Sequence, residues 1–294
     1  MNKVNVITSF WIICVGVSSL IIFYFLGNSP LNIVTSDWVI FTALLFISAF
    51  CEYIDSSLGM GYGTTLTPLM LSFGVLRSDI VPAVLLSELL TGIFSSLAHH
   101  REGNIDLFKN KYIRKSLLYL ALPSVLGVAA AIFLGDAVKS FGQHYANLYI
   151  GVMITSIGIY LVYINLYKKS KKEGISKSGL VSLGIVAAFN KGISGGGYGP
   201  LMTGGQVTAG VKEKEAIITT SLCEYFTCTI GLVIFFALGG SLNLFYAIPL
   251  CIGSMLTIVP AAKTVKILPN NVLKQAIGWV TLFLGVITLY KFFA

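Results

Sequence analysis

Long apolar runs alternate with short polar stretches along the whole chain. Each run is close to the roughly 17–25 residues with which a helix crosses a bilayer. The predicted spans are 7–26, 37–57, 79–98, 116–135, 146–166, 179–193, 216–238, 244–261 and 275–292. A membrane β-barrel would instead show short segments of alternating polarity. The pattern therefore predicts an all-α polytopic membrane protein with about nine transmembrane helices.

Composition agrees with a membrane protein. Only 11% of the 294 residues are charged and 55% are hydrophobic, whereas a soluble domain carries roughly 25% charged residues. The net charge of +8 fits basic cytoplasmic loops, and no basic patch is interleaved with aromatic residues, so we expect no nucleic-acid partner. The first apolar run, 7–26, exceeds the usual length of a signal-peptide core, and we expect it to be a retained helix.

Two glycine-rich segments interrupt the pattern and resemble each other. "GMGYGTTLTPLMLSFGV" at 59–75 aligns without a gap over "GGGYGPLMTGGQVTAGV" at 195–211 when the chain is shifted by 136 residues. The same shift pairs Glu88 with Glu224, and an intramembrane glutamate is rare enough for the match to be informative. The alignment predicts two repeats, 37–166 and 179–294, preceded by an extra helix in 1–36 and joined by a basic loop at 167–178.

The distribution of basic residues predicts how the repeats lie in the membrane. Loops 99–115 and 167–178 each hold five Lys or Arg residues, which places both in the cytoplasm. The N-terminus, with Lys3, is then cytoplasmic, and the uncharged loop 239–243 is outside. Each glycine segment becomes the turn of a helical hairpin, and the two hairpins enter from opposite faces. This is the inverted-repeat arrangement of many plasma-membrane transporters, with a site at the midplane.

The glycine breaks have a specific chemical use. Freed backbone groups in lipid cost several kcal/mol each unless protein, water or a ligand covers them. A new helix begins after each break, and its first N–H groups and dipole favour an anion; the alternative is that the small residues only let helices pack closely. The predicted substrate-binding residues are Gly59, Gly61, Tyr62, Gly63, Thr64, Thr65, Gly195, Gly196, Gly197, Tyr198, Gly199 and Lys191.

Charged residues near the breaks allow more than one interpretation. Glu88 and Glu224 lie near the middle of their spans, where a carboxylate costs about 2.5–3.5 kcal/mol on insertion scales. They are either proton carriers coupled to transport or hydrogen-bonded contacts between helices. Lys191 aligns with Asp55, so it either forms a buried salt bridge with that residue, contacts the anion directly, or extends towards water.

Other reactive side chains suggest no further chemistry. The five cysteines lie in apolar segments without CxxC spacing or a histidine cluster, which favours packing over disulfides or zinc. His99 and His100 open a basic loop and are expected to be solvated. No motif of a hydrolase, a zinc protease or a nucleotide-binding loop is present. We therefore expect no enzyme activity, no metal and no cofactor.

The two glycine segments also carry a family resemblance. "DSSLGMGYGTTLTPLML" and "NKGISGGGYGPLM" resemble the paired motifs of the sulfite exporter TauE/SafE family, and the loop "HHREGNI" is similar as well. The resemblance covers roughly 37–292 and implies secondary transport, usually outward, of a small sulfur-containing anion such as sulfite or an organosulfonate. Met60 and Glu88 depart from the family pattern. The acid at position 88 argues for proton coupling or for a less negatively charged substrate.

The leading hypothesis is a proton-linked anion transporter. One alternative is a cation-coupled or channel-like carrier of another small solute, in which Glu88 and Glu224 bind the cation. The other alternative is a non-transporting membrane sensor or assembly partner. The expected partners are a small anionic substrate and the lipid bilayer, with a homodimer as an option.

Overall fold

The described part of the chain consists of helices joined by short connections. A computed structural model describes residues 37–73, 75–133, 143–167, 176–194 and 197–293, so the predicted span 7–26 lies outside the described residues. Ten helices occupy this part: α1 (Asp37–Leu58), α2 (Tyr62–Ser72), α3 (Arg77–Arg101), α4 (Lys111–Phe133), α5 (Gln143–Tyr167), α6 (Lys177–Ser194), α7 (Tyr198–Thr208), α8 (Glu213–Ala237), α9 (Leu244–Ile267) and α10 (Asn270–Phe293).

Six of the described helices are long and apolar enough to cross a membrane: α1, α3, α4, α8, α9 and α10. The prediction of an all-helical polytopic membrane protein is confirmed at this level. Helices α5 and α6 occupy the predicted spans 146–166 and 179–193. The glycine-rich segments do not stay irregular after their breaks, because each continues as a short helix, α2 or α7.

Helix α4 contains a local change of winding. Asn110 caps its start by accepting hydrogen bonds from the backbone N–H groups of Tyr112 and Ile113. The segment Leu117–Ala121 is a π-helical turn, and such turns recur at functional positions. It lies where Gly184 of α6 packs directly against the carbonyl of Leu120, so the wide turn forms part of a close helix contact.

The helix boundaries repeat with the same shift that aligns the glycine segments. Helix α2 begins at Tyr62 and α7 at Tyr198, 136 positions later. The shift also relates the last residue of α1 to that of α6, and it relates both ends of α3 to both ends of α8. The internal repeat therefore extends from single residues to the lengths of whole helices.

The corresponding helices α3 and α8 cross each other at the centre of the molecule in opposite directions. Gly231 of α8 packs against Leu85 of α3, whereas Gly92, further along α3, packs against Ser221, nearer the start of α8. Contacts nearer the end of α3 are thus made with residues nearer the start of α8, so the two helices are antiparallel. The pair α5 and α10 behaves in the same way, since Gly151 meets Leu289 and Gly158 meets Leu282.

Two further helix pairs connect the repeats side by side. Ser124 of α4 donates to the carbonyl of Gly184 at 3.1 Å, and Ala131, one to two turns later, meets Gly192 of α6. These contacts advance together, so α4 and α6 run parallel. In the second pair, α1 of the first repeat packs against α9 of the second through Ser48, whose hydroxyl donates to the carbonyl of Leu250 at 2.7 Å. Each repeat therefore packs a helix of the other against its own.

Candidate functional site

Both glycine segments break the helix in the predicted way. Gly59, Gly61 and Gly197 have φ angles of 70°, 130° and 78°, which lie in the region that glycine enters without the steric cost of a side chain. The chain turns at these residues, between α1 and α2 and between α6 and α7. Gly195 and Gly196 lie outside the described residues.

The two breaks meet each other inside the protein. A Cβ atom at Gly199 would lie 2.6 Å from the Cα atom of Met60 and 2.8 Å from the carbonyl oxygen of Gly59, so only glycine allows this approach. The Gly197 N–H donates to the hydroxyl of Thr64 at 3.1 Å. The Thr203 hydroxyl donates to the Gly59 carbonyl at 2.7 Å. The structure thus brings Gly59 and Thr64 of the first break into contact with Gly197 and Gly199 of the second.

The first break is closed by its own chain. A carboxylate oxygen of Asp55 accepts from the backbone N–H of Tyr62, the first residue of α2, at 3.1 Å. The Tyr62 hydroxyl lies 3.0 Å from that of Ser48 and 2.7 Å from that of Ser87. Tyr62 is fully buried, so its side chain anchors the hairpin between α1 and α3.

The second break carries the opposite charge at the equivalent position. The residue that corresponds to Asp55 is Lys191, and Gly197, which precedes α7, has no side chain with which to cap the helix. The Nζ atom of Lys191 lies 4.9 Å from the ring centroid of Tyr198, a favourable position for a cation over an aromatic face. The Tyr198 hydroxyl lies 3.4 Å from that of Thr227. A positive charge therefore lies beside the first residue of α7 at this break.

Lys191 forms ion pairs with both intramembrane glutamates. Its Nζ atom lies 2.7 Å from Glu88 and 2.7 Å from Glu224, and all three residues are at most 5% exposed. The predicted pairing of Lys191 with Asp55 is wrong: of the described ion pairs, those of Lys191 are with the two glutamates, while Asp55 binds the start of α2. The ion cluster of Lys191, Glu88 and Glu224 joins α6 to the crossing of α3 and α8.

Sequence reasoning missed several buried polar contacts. The Cys228 thiol donates to Glu88, one of the two glutamates paired with Lys191, at 3.6 Å. Cys228 lies one helical turn after Glu224, and this spacing could have placed the two side chains on the same face of α8. Glu52 is 1% exposed and accepts from Ser56 at 2.5 Å.

One histidine lies in a different environment from the predicted one. His99 is fully buried rather than solvated, because the basic loop begins only after α3 ends at Arg101. Its Nε2 atom lies 2.9 Å from the carbonyl oxygen of Ser56, and its Nδ1 atom lies 3.0 Å from the amide nitrogen of Asn104. In the described part of the chain, no group of three or more His, Cys, Asp or Glu residues is placed to hold a metal ion.

A cavity of about 100 Å³ reaches the ion cluster. Lys191 and Glu88 line it on one side, and Val81, Phe235 and Leu238 line it towards the start of α3 and the end of α8. It is smaller than the roughly 150 Å³ engineered cavity that accepts benzene. Its size suits a molecule of a few heavy atoms, with a polar group at Lys191 and an apolar side facing Val81.

Similarity to known proteins agrees with the two motifs. The model of the family described as "Sulfite exporter TauE/SafE" matches residues 44–288. The chain belongs to this family. The resemblance inferred from the glycine segments is therefore confirmed, and the matched region contains both breaks and the whole ion cluster.

Two curated relatives from Bacillus subtilis (strain 168) are similar to the chain. One, "Probable membrane transporter protein YtnM", is 29% identical over 187 residues, which cover 61% of this chain and 59% of that protein. The other, "Probable membrane transporter protein YjnA", is 23% identical over 225 residues, which cover 72% of this chain and 85% of that protein. No solved structure matches the chain. The chain is thus a multi-pass membrane protein of a family whose relatives here are named as transporters.

Proposed function

We propose that the protein is a secondary transporter that binds a small anion between Lys191 and the start of α7. The observation that carries the proposal is the buried Lys191, which lies beside Tyr198 at the start of α7 and lines a cavity. Exposed N–H groups and the positive end of the helix dipole favour an anion at such a terminus. The family and the names of both relatives support transport.

We infer that the two repeats are inverted in the membrane. Helices α3 and α8 correspond under the shift of 136 residues, and they cross in opposite directions. A rotation that superimposes antiparallel helices turns one repeat upside down relative to the other. In this arrangement the binding site lies near the bilayer midplane, and the basic loops 99–115 and 167–178 lie in the cytoplasm. We propose a cytoplasmic N-terminus and a location in the plasma membrane.

The two breaks have different parts in binding. The N–H group at the start of α2 is already bonded to Asp55, so the first break contributes shape through Gly59, Gly61 and Gly63. Thr64 and Thr65 lie at the same tip, and the Thr64 hydroxyl already orders the second break by accepting from Gly197. We therefore propose that the anion contacts Lys191 and the nearby Tyr198, with Gly199, Gly195 and Gly196 adjacent in sequence.

Charge balance favours proton coupling. Four buried carboxyl groups, those of Glu52, Asp55, Glu88 and Glu224, interact electrostatically with one another around a single buried ammonium group, that of Lys191. Full ionisation would leave three uncompensated negative charges, and burying unpaired charge is strongly unfavourable. An anion that binds Lys191 replaces Glu88 as its partner, and the released Glu88 carboxylate takes up a proton from solvent. Anion and proton then move together.

We propose a sulfur-containing anion, sulfite or a small organosulfonate such as sulfoacetate, as the substrate, and export as the direction. The family description supports sulfur, and the partly apolar cavity suits a short organic portion. The residues that would discriminate among such anions are Val81, Phe235 and Leu238, because they line the cavity away from the charge.

The test is flux in proteoliposomes. Sulfoacetate or sulfite uptake should respond to an imposed pH gradient and not to Na⁺, and Glu88→Gln should abolish the response to the gradient because it removes a titrating partner of Lys191. The matched control is Glu102→Gln, since Glu102 pairs with Lys266 at the surface, 3.2 Å away. Uptake that requires Na⁺ would favour a cation-coupled carrier. Stabilisation of the protein by the anion without any flux would indicate a sensor.

A further inference from the structure

We propose that a buried polar cluster, formed by Ser56, Ser95, His99 and Thr220, is the second half of the substrate path and is closed in this structure. The inference rests on the proposed transport function and adds a second route to the same site. The first half is the cavity that reaches Lys191 from the start of α3. The second half would reach Lys191 from the opposite face.

The internal repeat identifies this cluster. Four residues that line the cavity have counterparts of a different kind 136 positions away in the other repeat. The pairs are Gly192 with Ser56, Gly231 with Ser95, Val84 with Thr220 and Phe235 with His99. Because α3 and α8 run in opposite directions, the counterparts lie towards the end of α3 and the start of α8. Two related surfaces therefore approach the ion cluster from two sides.

The two surfaces differ in whether space remains between the helices. On the cavity side Gly231 lines the cavity, and a Cβ atom there would have its nearest neighbour at 3.5 Å, an ordinary contact distance. The other side is held together by polar contacts: His99 donates to the Ser56 carbonyl at 2.9 Å, and the Thr203 and Thr220 hydroxyls lie 2.8 Å apart. These contacts join α3 to α1 and α7 to α8, which closes the route.

The closed side has more polar atoms than it can pair. Ser95 Oγ, Glu52 Oε2 and Thr219 Oγ1 are buried without a hydrogen-bond partner. Buried polar groups are nearly always paired, and an unpaired one is unfavourable. Their counterparts in the other repeat are Gly231, Ala188 and Ala83, which have no side-chain polar atom. Water or a hydrated anion entering an opened route would supply the missing partners.

Asn104 is the contact that closes the route at the surface. Its amide nitrogen lies 3.0 Å from His99 Nδ1 and 2.8 Å from the carbonyl oxygen of Ala262 in α9. An amide nitrogen only donates, so Nδ1 accepts and Nε2 carries the hydrogen bonded to Ser56. One side chain from the loop after α3 thereby fixes His99 and connects α3 to α9.

Cysteine accessibility tests the inference with a matched pair of variants. Gly231→Cys and Ser95→Cys occupy corresponding positions in the two repeats, and the geometry around Gly231 accommodates a Cβ atom. Each variant is treated with a membrane-impermeant thiosulfonate in right-side-out and in inverted vesicles. We expect Gly231→Cys to react from one face and Ser95→Cys from the other. The wild-type chain, with its five cysteines, supplies the background.

The control is Ala276→Cys, a position in α10 that is 1% exposed and lies in an apolar core cluster shared by several helices. If Ser95→Cys reacts no more than this control from either face, or reacts from the same face as Gly231→Cys, the inference is wrong. Labelling requires no substrate. Opposite-face labelling without flux would therefore refute the transport proposal alone, whereas flux without labelling of Ser95→Cys would refute the second route alone.

A second variant tests the closing contact. Adding Asn104→Ala to Ser95→Cys should raise the labelling rate several-fold, because it releases both His99 and Ala262. An unchanged rate would exclude Asn104 as the closing residue. Circular dichroism of both variants checks that a higher rate does not come from unfolding.

Discussion

The two glycine breaks share a sequence pattern but differ in what their helix starts contact. At the first break, the start of α2 binds Asp55 from its own hairpin. At the second, the equivalent position holds Lys191, whose ammonium group cannot accept a hydrogen bond from the start of α7. The comparison teaches that the glycines determine where the chain turns, whereas the charge seven residues before the tyrosine determines whether that side chain can cap the new helix. A helix start that already binds an acid has less need of an external anion than one that lies beside a lysine.

The difference also explains why Lys191 and Asp55 do not pair. Asp55 is engaged by the backbone at 3.1 Å, and Lys191 is held by two glutamates at 2.7 Å each. The acid therefore acts within its own hairpin, whereas the lysine acts between helices. Corresponding residues of a repeat need not be partners, even when their charges are opposite.

Removing Lys191 should have the largest effect. Lys191→Met leaves Glu88 and Glu224 buried without their cation, and breaking a buried ion pair typically costs about 3–5 kcal/mol. We expect a strongly lowered unfolding temperature in detergent and no anion binding. Adding Glu88→Gln and Glu224→Gln should restore much of the stability without restoring binding. A single variant as stable as the wild type would contradict the charge balance described here.

A methyl group at the meeting point of the breaks should have the next largest effect. Gly199→Ala places a Cβ atom 2.6 Å from the backbone of Met60, and overpacking of this kind typically costs about 1–3 kcal/mol. Thermal unfolding and flux should both decline. Gly231→Ala is the control, since its nearest neighbour would be 3.5 Å away. Equal effects of the two substitutions would mean that close contact between the breaks is unimportant.

Removing the internal cap should have the smallest effect. Asp55→Ala leaves the Tyr62 N–H unpaired, and loss of a helix N-cap typically costs about 0.5–2 kcal/mol. Asp55→Asn retains an acceptor oxygen and should be nearer to the wild type in unfolding temperature. Anion binding, measured by thermal shift, should persist in both variants. Loss of binding as complete as in Lys191→Met would show that the first break also contacts the anion.

Much of the fold could be predicted because lipid imposes simple rules. Apolar length determines the helices, and the glycine runs 59–63 and 195–199 determine the breaks. The contacts of the ion cluster could not be predicted in the same way. The sequence spacing does not predict that α3 and α8 cross near Glu88 and Glu224, because the crossing point depends on tertiary packing. The burial of His99 also escaped prediction. It depends on helix α3 continuing to Arg101 and on tertiary contacts with Ser56 and Asn104.

The approach of Gly199 to Met60 limits how the molecule can change shape. The backbones of the two hairpin tips are in contact, and a closely packed interior does not tolerate a void. Neither tip can withdraw alone without emptying the space that the other fills. Any rearrangement that exposes Lys191 to the opposite solvent therefore has to carry the two tips along as one unit.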